Sequence, residues 1–491
     1  MWFANPEFKD QVALVQGEVQ LSYHELEQAV KARCEWLLQQ QAMHVAVAME
    51  NSIEWVLFDL ACQLADVCCV PVPGFFSQTQ VQHLLKQSDI DLLLTDSSTA
   101  HLAGNIEVDR TPFTGVSAFA RQRDNRALVP EGTSKITFTS GSTGAPKGVC
   151  LSVKNQLTVA HSLADAIAIE KVRHLCLLPL ATLLENIAGV YAPLMVGGAV
   201  VLANDAERGF SGSRLIEPQQ LLGLISKVQP QSLILVPELL TLLMSAVKQG
   251  WQAPDSLQFI AVGGAKVAAG MVEAARALGL PVYQGYGLSE CASVVALNTQ
   301  NADAASSAGQ PLPHNQLYIE NGELIVEGNL FLGYLNQPDS FYPKCVATGD
   351  LVEFTDNTLH ILGRRKNLLI TSFGRNISPE WVEAELMASG YFRDVIVYGD
   401  SQPYCGALLM PISDAVDDSQ IDKVIAAVNQ QLPDYARIAN WVRLQQPLVT
   451  IPGLVTPTGK PVRDAILQHF HTSIEQAYAQ AGNAQVTGAV L

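Results

Sequence analysis

Short apolar runs rich in β-branched residues alternate with stretches of helical spacing along most of this chain, and that alternation constrains the fold more than any other feature. The runs fall at residues 45–48, 90–94, 232–236 and 258–262, and helical spacing covers 23–39, 54–64, 79–86 and 271–278. Runs this short and this apolar read as strands buried on both faces. Strands alternating with helices imply parallel sheets that the helices cover. From about residue 315 the pattern changes. Residues 316–320, an Asn321-Gly322 turn and residues 323–327 read as a hairpin, and 352–355 with 359–362 as a second one. A boundary falls at Gly363-Arg364-Arg365-Lys366-Asn367. After it come a helix from Pro379, strands at 394–398 and 407–411, and a helix from Ser419. Residues 212–218 are expected to be a mobile loop.

Charge and cysteine usage narrow the function classes. Thirty Lys and Arg stand against 47 Asp and Glu, a net charge of −17. A general nucleic-acid or anionic-membrane binder needs a positive field and is excluded. Anionic substrates are not, because a few local groups can hold a phosphate. Residues 1–362 carry 20 basic against 35 acidic groups, and residues 363–491 carry 10 against 12, so the last part is the less acidic. Nine cysteines, an odd number with no CxxC pair, predict free thiols in a reducing cytoplasm. The N-terminus has no basic region before an apolar run, so no signal peptide is expected. The most membrane-like stretch, residues 187–203, contains Pro193, Gly197 and Gly198 and is too short to span. It reads as a buried helix, a Gly-Gly turn and a strand over 199–203, with no integral membrane association.

The strongest local signal is Thr139-Ser140-Gly141-Ser142-Thr143-Gly144-Ala145-Pro146-Lys147-Gly148, which follows a short strand at 136–138. Its glycines let the backbone turn sharply and aim successive N–H groups at one anion. The hydroxyls and Lys147 add donors, a chemistry suited to a polyphosphate. It is not a Walker loop, because Pro146 precedes Lys147 and Gly148 follows it where a Ser or Thr is required.

This loop resembles the phosphate loop of the adenylate-forming superfamily: acyl-CoA synthetases, nonribosomal-peptide adenylation domains and firefly luciferase. Further motifs follow in family order. Residues 178–185, Leu-Pro-Leu-Ala-Thr-Leu-Leu-Glu, resemble the family's Leu-Pro-Leu-x-His stretch. Gly263-Gly264-Ala265 is similar to the adenine-contacting turn, and Tyr286-Gly287-Leu288-Ser289-Glu290 to Tyr-Gly-x-Thr-Glu. Thr348-Gly349-Asp350 resembles the ribose motif, Gly363-Arg364 through Pro379-Glu380 the hinge and its loop, and Pro457-Thr458-Gly459-Lys460 the catalytic-lysine segment. The fold class implied is α/β: a large N-terminal domain (1–362) of two parallel-type sheets with helices plus a β-rich module, and a small mobile α/β C-terminal domain (363–491).

The resemblance also implies roles. Adenylation joins a carboxylate to the α-phosphate of ATP and expels pyrophosphate, so positioning and charge neutralisation carry it. Thr139, Ser140, Gly141, Ser142, Thr143, Gly144 and Lys147 would hold the β- and γ-phosphates. Glu290 would bind Mg2+, a hard cation that takes oxygen ligands. Ser289 would meet the α-phosphate. Gly263, Gly264, Ala265, Tyr286 and Gly287 would frame adenine, and Asp350 with Arg364 the ribose. Lys460 would bridge carboxylate and α-phosphate. Lys366 would be the hinge, and Gly374 would let a pantetheine arm pass. Thr182 departs from the His of long-chain members, and the usual Asp-Gly-Trp before Thr348 is missing.

The segment 181–186 is mostly apolar and offers no clear Asp for an α-ammonium. The substrate expected is a small-molecule carboxylic acid, a medium- or long-chain fatty acid, activated and passed to coenzyme A. The alternative acceptor is phosphopantetheine on an acyl carrier protein. A silent nucleotide-binding relative is the alternative of another class, opposed by the retention of Lys460, Glu290 and Asp350.

Overall fold

The computed structural model describes residues 1–488 except 104–108, 122–126, 140–145, 213, 266, 373–375, 403 and 457–458. Two large sheets organise the first part of the chain. One runs from edge to edge as Gln310–Pro311, Ser293–Leu297, Val282–Leu288, Phe259–Val262, Ser232–Leu235, Arg173–Leu175, Ala199–Leu202, Val12–Gln16 and Val19–Ser22. From Val282–Leu288 through Val12–Gln16 its strands are parallel; the edge strands are antiparallel. The other runs as Gly333–Tyr334, Lys147–Leu151, Lys135–Thr139, Cys68–Pro71, His44–Ala48, Leu92–Thr95, Ser117–Ala120 and Asp109–Arg110. Its centre is parallel as well. Central strands such as His44–Ala48 and Leu92–Thr95 are buried at every position, which is why their sequences run apolar without alternation.

Helices pack between and over the sheets. Tyr23–Gln39 starts at a reciprocal cap in which Ser22 and Glu25 bond each other's backbone N–H, and Gln78–Gln87 and Val153–Ile167 start the same way. Trp55, Phe58, Tyr23 and Tyr191 fill the largest core, which joins the helices of both sheets. A four-stranded antiparallel module follows: Asn315–Glu320, Glu323–Gly328, Cys345–Thr355 and Thr358–Arg364.

The last part is built on a three-stranded sheet, Phe392–Tyr398, Cys405–Pro411 and Ile438–Arg443. Pro379–Ala388 and Asp418–Gln431 cover one face through Val382, Leu386, Ile421 and Ile425. Beyond Lys460, helices Arg463–His469 and His471–Gly488 cover the other through Ile466, Ile474 and Tyr478. The Tyr478 hydroxyl donates to the Tyr404 carbonyl at 2.9 Å.

Two expectations need correction. Residues 212–218 are not a plain loop: Phe210–Ser211 pairs with Arg214–Leu215, and a helix begins at Pro218. The helix in 187–203 starts earlier and is wider than an α-helix. It is a π-helix over Glu185–Tyr191, followed by an α-turn Ala192–Met195 and the strand Ala199–Leu202. All nine cysteines are unpaired and eight are buried. Among the described residues no helix is long and apolar enough to cross a membrane.

Candidate active site

The parallel strands of the nine-stranded sheet end on one edge, where open parallel sheets bind ligands. Four connections leave that edge, after Leu175, Leu235, Val262 and Leu288. Gly264 takes φ +80, and a Cβ on Gly263 would stand 3.0 Å from the Gly285 carbonyl oxygen, so these neighbouring turns pass close together. Ala265 is exposed beside them. At Gly287 a Cβ would lie 1.9 Å from the Ser293 carbonyl. That glycine is therefore demanded by the bulge at Tyr286/Gly287 itself.

Asp350 is buried and doubly engaged. Arg364, its cross-strand neighbour, places Nε 2.6 Å from Oδ1, and the Tyr286 hydroxyl donates to Oδ2 at 2.5 Å. Burial raises the Asp350 pKa; Arg364 and the bond from Tyr286 oppose the shift, and the Glu380 charge adds to it. Tyr286 is pushed well above the usual phenol range, first by burial and then by Asp350. Thus Tyr286, expected to stack on a base, also engages the carboxylate of Asp350.

Lys460 sits on a tight turn. Its N–H donates to Thr456 Oγ1 at 3.0 Å, and its carbonyl accepts from the Thr456 N–H at 2.7 Å. Gly459 supplies the φ of +80 that the turn needs. Water reaches the Lys460 side chain, yet enough protein crowds its ammonium to lower its pKa, as befits a cleft. Burial is the first cause and Arg364 the second; Asp350 and Glu238 pull the other way. The lysine of the last part therefore lies within electrostatic reach of the groups from the first. Gly363 packs against the start of the helix Pro379–Ala388: a Cβ there would stand 2.2 Å from Ser378 Oγ. Glu380 ties back by accepting from Asn367 Nδ2 and Ser378 Oγ.

Thr139 and Lys147 face each other as the last described pair of an antiparallel hairpin. Ser140, Gly141, Ser142, Thr143 and Gly144 lie outside the described residues, as does Gly374. Lys147 Nζ stands 5.5 Å from the Tyr334 ring, and the Tyr334 hydroxyl donates to Glu290 Oε1 at 2.7 Å. Ser289 and Glu290 open a 3-10 turn, Ser289–Cys291. Tyr334 was missed in the sequence; it follows Gly333 on a two-residue strand with no motif around it. Lys366 is exposed in the 3-10 turn Arg365–Asn367.

The loop 177–182 is held by side chains of which sequence reading missed Arg208 and Asn51. Arg208 donates to the Leu177 carbonyl at 2.6 Å, and Leu178 N–H donates to Glu185 Oε2 at 3.0 Å. Asn51 donates to the Leu178 carbonyl and accepts from Leu180 N–H, both at 2.8 Å. The Thr182 hydroxyl donates to the Pro179 carbonyl at 2.7 Å. His174, Cys176 and Glu185 bring metal-type donor atoms within 4.8 Å of one another. Those atoms are committed to protein: His174 bonds Ser232 Oγ at 2.8 Å and Glu185 Oε1 at 2.9 Å. A Cβ on Gly189 would lie 2.3 Å from Glu185 Oε1, so the cluster is a packed hydrogen-bonded unit.

Comparison with known proteins agrees with this geometry. The family model "AMP-binding enzyme" matches residues 2–335, and "AMP-binding enzyme C-terminal domain" matches residues 366–482. The chain is 28% identical to a 2-succinylbenzoate–CoA ligase of Bacillus subtilis, over 77% of this chain and 80% of that one. It is 23% identical to the long-chain-fatty-acid–CoA ligase FadD15 of Mycobacterium bovis, over 88% of each. In fold it matches an anthranilate–CoA ligase, AuaEII, solved with anthranoyl-AMP, with TM-score 0.80 at 17% identity and 96% coverage of each chain. The two-part architecture and these matches lead to one conclusion: the chain belongs to the AMP-binding enzyme family and is an acyl-adenylate-forming ligase.

Proposed function

We propose that this ligase activates a medium- or long-chain fatty acid with ATP and passes the acyl group to coenzyme A. The observation that carries this reading is the buried Asp350 held by Arg364 and Tyr286, with the Lys460 ammonium within electrostatic reach of it. A cation there can neutralise charge shared between a carboxylate and an α-phosphate as the new P–O bond forms and pyrophosphate leaves. The hairpin 139–147 would hold the outer phosphates. Asp350 would accept from the ribose hydroxyls through lone pairs that Arg364 and Tyr286 leave open. The donor set suits Mg2+: Glu290 is part-exposed, and its Oε1 alone is engaged by Tyr334. When bound with ATP, the ion supplies neutralisation of the phosphates.

In the second half-reaction the thiol sulfur attacks the acyl carbon and the bond to AMP breaks. Lys460 must then leave, and rotation of residues 363–491 about Lys366 would withdraw it. The segment 181–186, mostly apolar and with no Asp to hold an α-ammonium, favours an apolar acid, as does the likeness to FadD15. An aromatic acid is the second reading, favoured by the likeness to 2-succinylbenzoate–CoA ligases. An acyl carrier protein is the alternative acceptor; Arg393, on the less acidic part, would help dock it.

ATP–pyrophosphate exchange over fatty acids of graded length, aromatic acids and amino acids tests the acid. Each buried methylene can contribute up to about 0.8 kcal/mol, so the expected result is a steep rise in kcat/KM with chain length until the pocket is full. A flat series, with an aromatic acid fastest, would replace the fatty-acid reading. Thioester formation with free coenzyme A and with holo carrier protein decides the acceptor.

A further inference from the structure

We infer that Asn51 is a positioning residue for the acid: it locks the loop 177–182 in the shape that presents Thr182 to the acyl pocket. This rests on the proposed function, in which the acid enters beside that loop. The loop contains Pro179, is in no strand, and buries Leu177 and Leu180, so its backbone polar groups need partners. Three side chains from three separate elements supply them, Arg208 to Leu177, Glu185 to Leu178, and Asn51 to Leu178 and Leu180. Asn51 is the central member because it acts twice and because it comes from the other sheet. It follows the strand His44–Ala48 and is only 3% exposed. Its neighbour Glu50 accepts from the Asp205 N–H at 3.2 Å, so the crossing between the sheets is tied at a second point.

The chemistry of the contact makes it testable. A carboxamide donates to the Leu178 carbonyl and accepts from the Leu180 N–H at once. An ionised carboxylate of the same shape can only accept and would repel the Leu178 oxygen. A protonated carboxylic acid can again do both. The substitution Asn51→Asp should therefore create a pH-dependent clamp. At pH 8 its KM for the acid should rise roughly tenfold or more, with the KM for ATP within about twofold of parental. As pH falls and the buried carboxyl protonates, the acid KM should return toward parental. Asn51→Leu should show the same rise with no recovery at low pH.

Hydrogen exchange at the Leu180 N–H, measured on the full chain without substrates, reads the clamp apart from catalysis. Asn51→Asp should lose protection there at pH 8 and regain it at low pH. Parental protection at Leu180 at every pH would overturn the clamp. Lost protection with an unchanged acid KM, or equal rises in the KM for acid and ATP, would overturn the positioning role. If the parental enzyme shows no acid-dependent exchange with any acid, the proposed function fails, and the Leu180 measurement still decides the clamp.

Discussion

Lys135→Met keeps most of the side-chain volume and should still destabilise the first part of the molecule strongly, because of the charge it removes. Lys135 and Asp59 are each 1% exposed, with Nζ 2.8 Å from Oδ1. Lys135 also donates to Asn186 Oδ1, and to the Tyr191 hydroxyl at 2.9 Å. That hydroxyl donates to Asp59 Oδ2 at 2.5 Å, and Asn186 Nδ2 does so at 3.0 Å. Removing the ammonium leaves a carboxylate buried with two neutral donors and no counter-charge. Breaking a buried pair in this one-sided way costs about 3–5 kcal/mol. At roughly 2 °C per kcal/mol for a unit of this size, the melting temperature should fall by roughly 6 to 10 °C. The double variant Lys135→Met, Asp59→Asn keeps an oxygen to accept from Tyr191 and Asn186 and has no orphan charge. It should recover at least half of the loss. Urea unfolding followed by circular dichroism, with thermal melts alongside, measures both. A single variant within about 1 kcal/mol of parental, or a double variant weaker than the single, would refute the reasoning.

Lys460→Ala should slow adenylate formation by about 10² to 10³ while thioester formation from supplied acyl-adenylate stays within a few-fold; equal losses in both half-reactions would sink the assignment. Burial and Arg364 lower the Lys460 pKa, so adenylation should decline on the alkaline side before an ordinary lysine would deprotonate. Lys460→Arg should move that limb to higher pH, as a pH–rate profile would show. Asp350 has its pKa raised, chiefly by burial. Its contribution to stability is thus present below the unfolded carboxylate pKa and lost as pH rises through the folded value. Asp350→Asn should raise the melting temperature at pH 8, not at pH 3, and raise the KM for ATP. Lys366→Pro fixes one φ near roughly −65° and should leave pyrophosphate exchange near parental while slowing thioester formation; a parental rate for both would remove residue 366 as the pivot.

Regular elements were legible because local pattern and burial agree. The period of residues 23–39 predicts the helix found there, and the apolar run at 232–236 the strand Ser232–Leu235. Asn321-Gly322 marks a hairpin because Asn321 and Gly322 take φ +51 and +79. Candidate site residues carried in motifs, such as Asp350 and Arg364, which the structure pairs, and Lys460, could be named in advance. Their partners could not. Tyr334, Asn51 and Arg208 act through contacts 44, 127 and 31 residues away in sequence, and nothing local distinguishes them from ordinary polar residues. The π-helix was illegible for a related reason. Its residues Glu185, Asn186 and Tyr191 are bonded by His174 and Lys135, partners distant in sequence. Periodicity over seven residues cannot report that.

The pairing of Val12–Gln16 with Ala199–Leu202 has a consequence for synthesis on the ribosome. The second strand of that pair is translated long after the first, and all the parallel strands at the centre of the other sheet are made in between. At ~5–20 residues per second, the apolar N-terminal strand waits roughly 10 to 40 s for its neighbour. Its own hairpin with Val19–Ser22 is available at once. That short ribbon gives the strand one satisfied edge during the wait, and leaves the other edge as the exposed template on which a chaperone, or another nascent chain, would act.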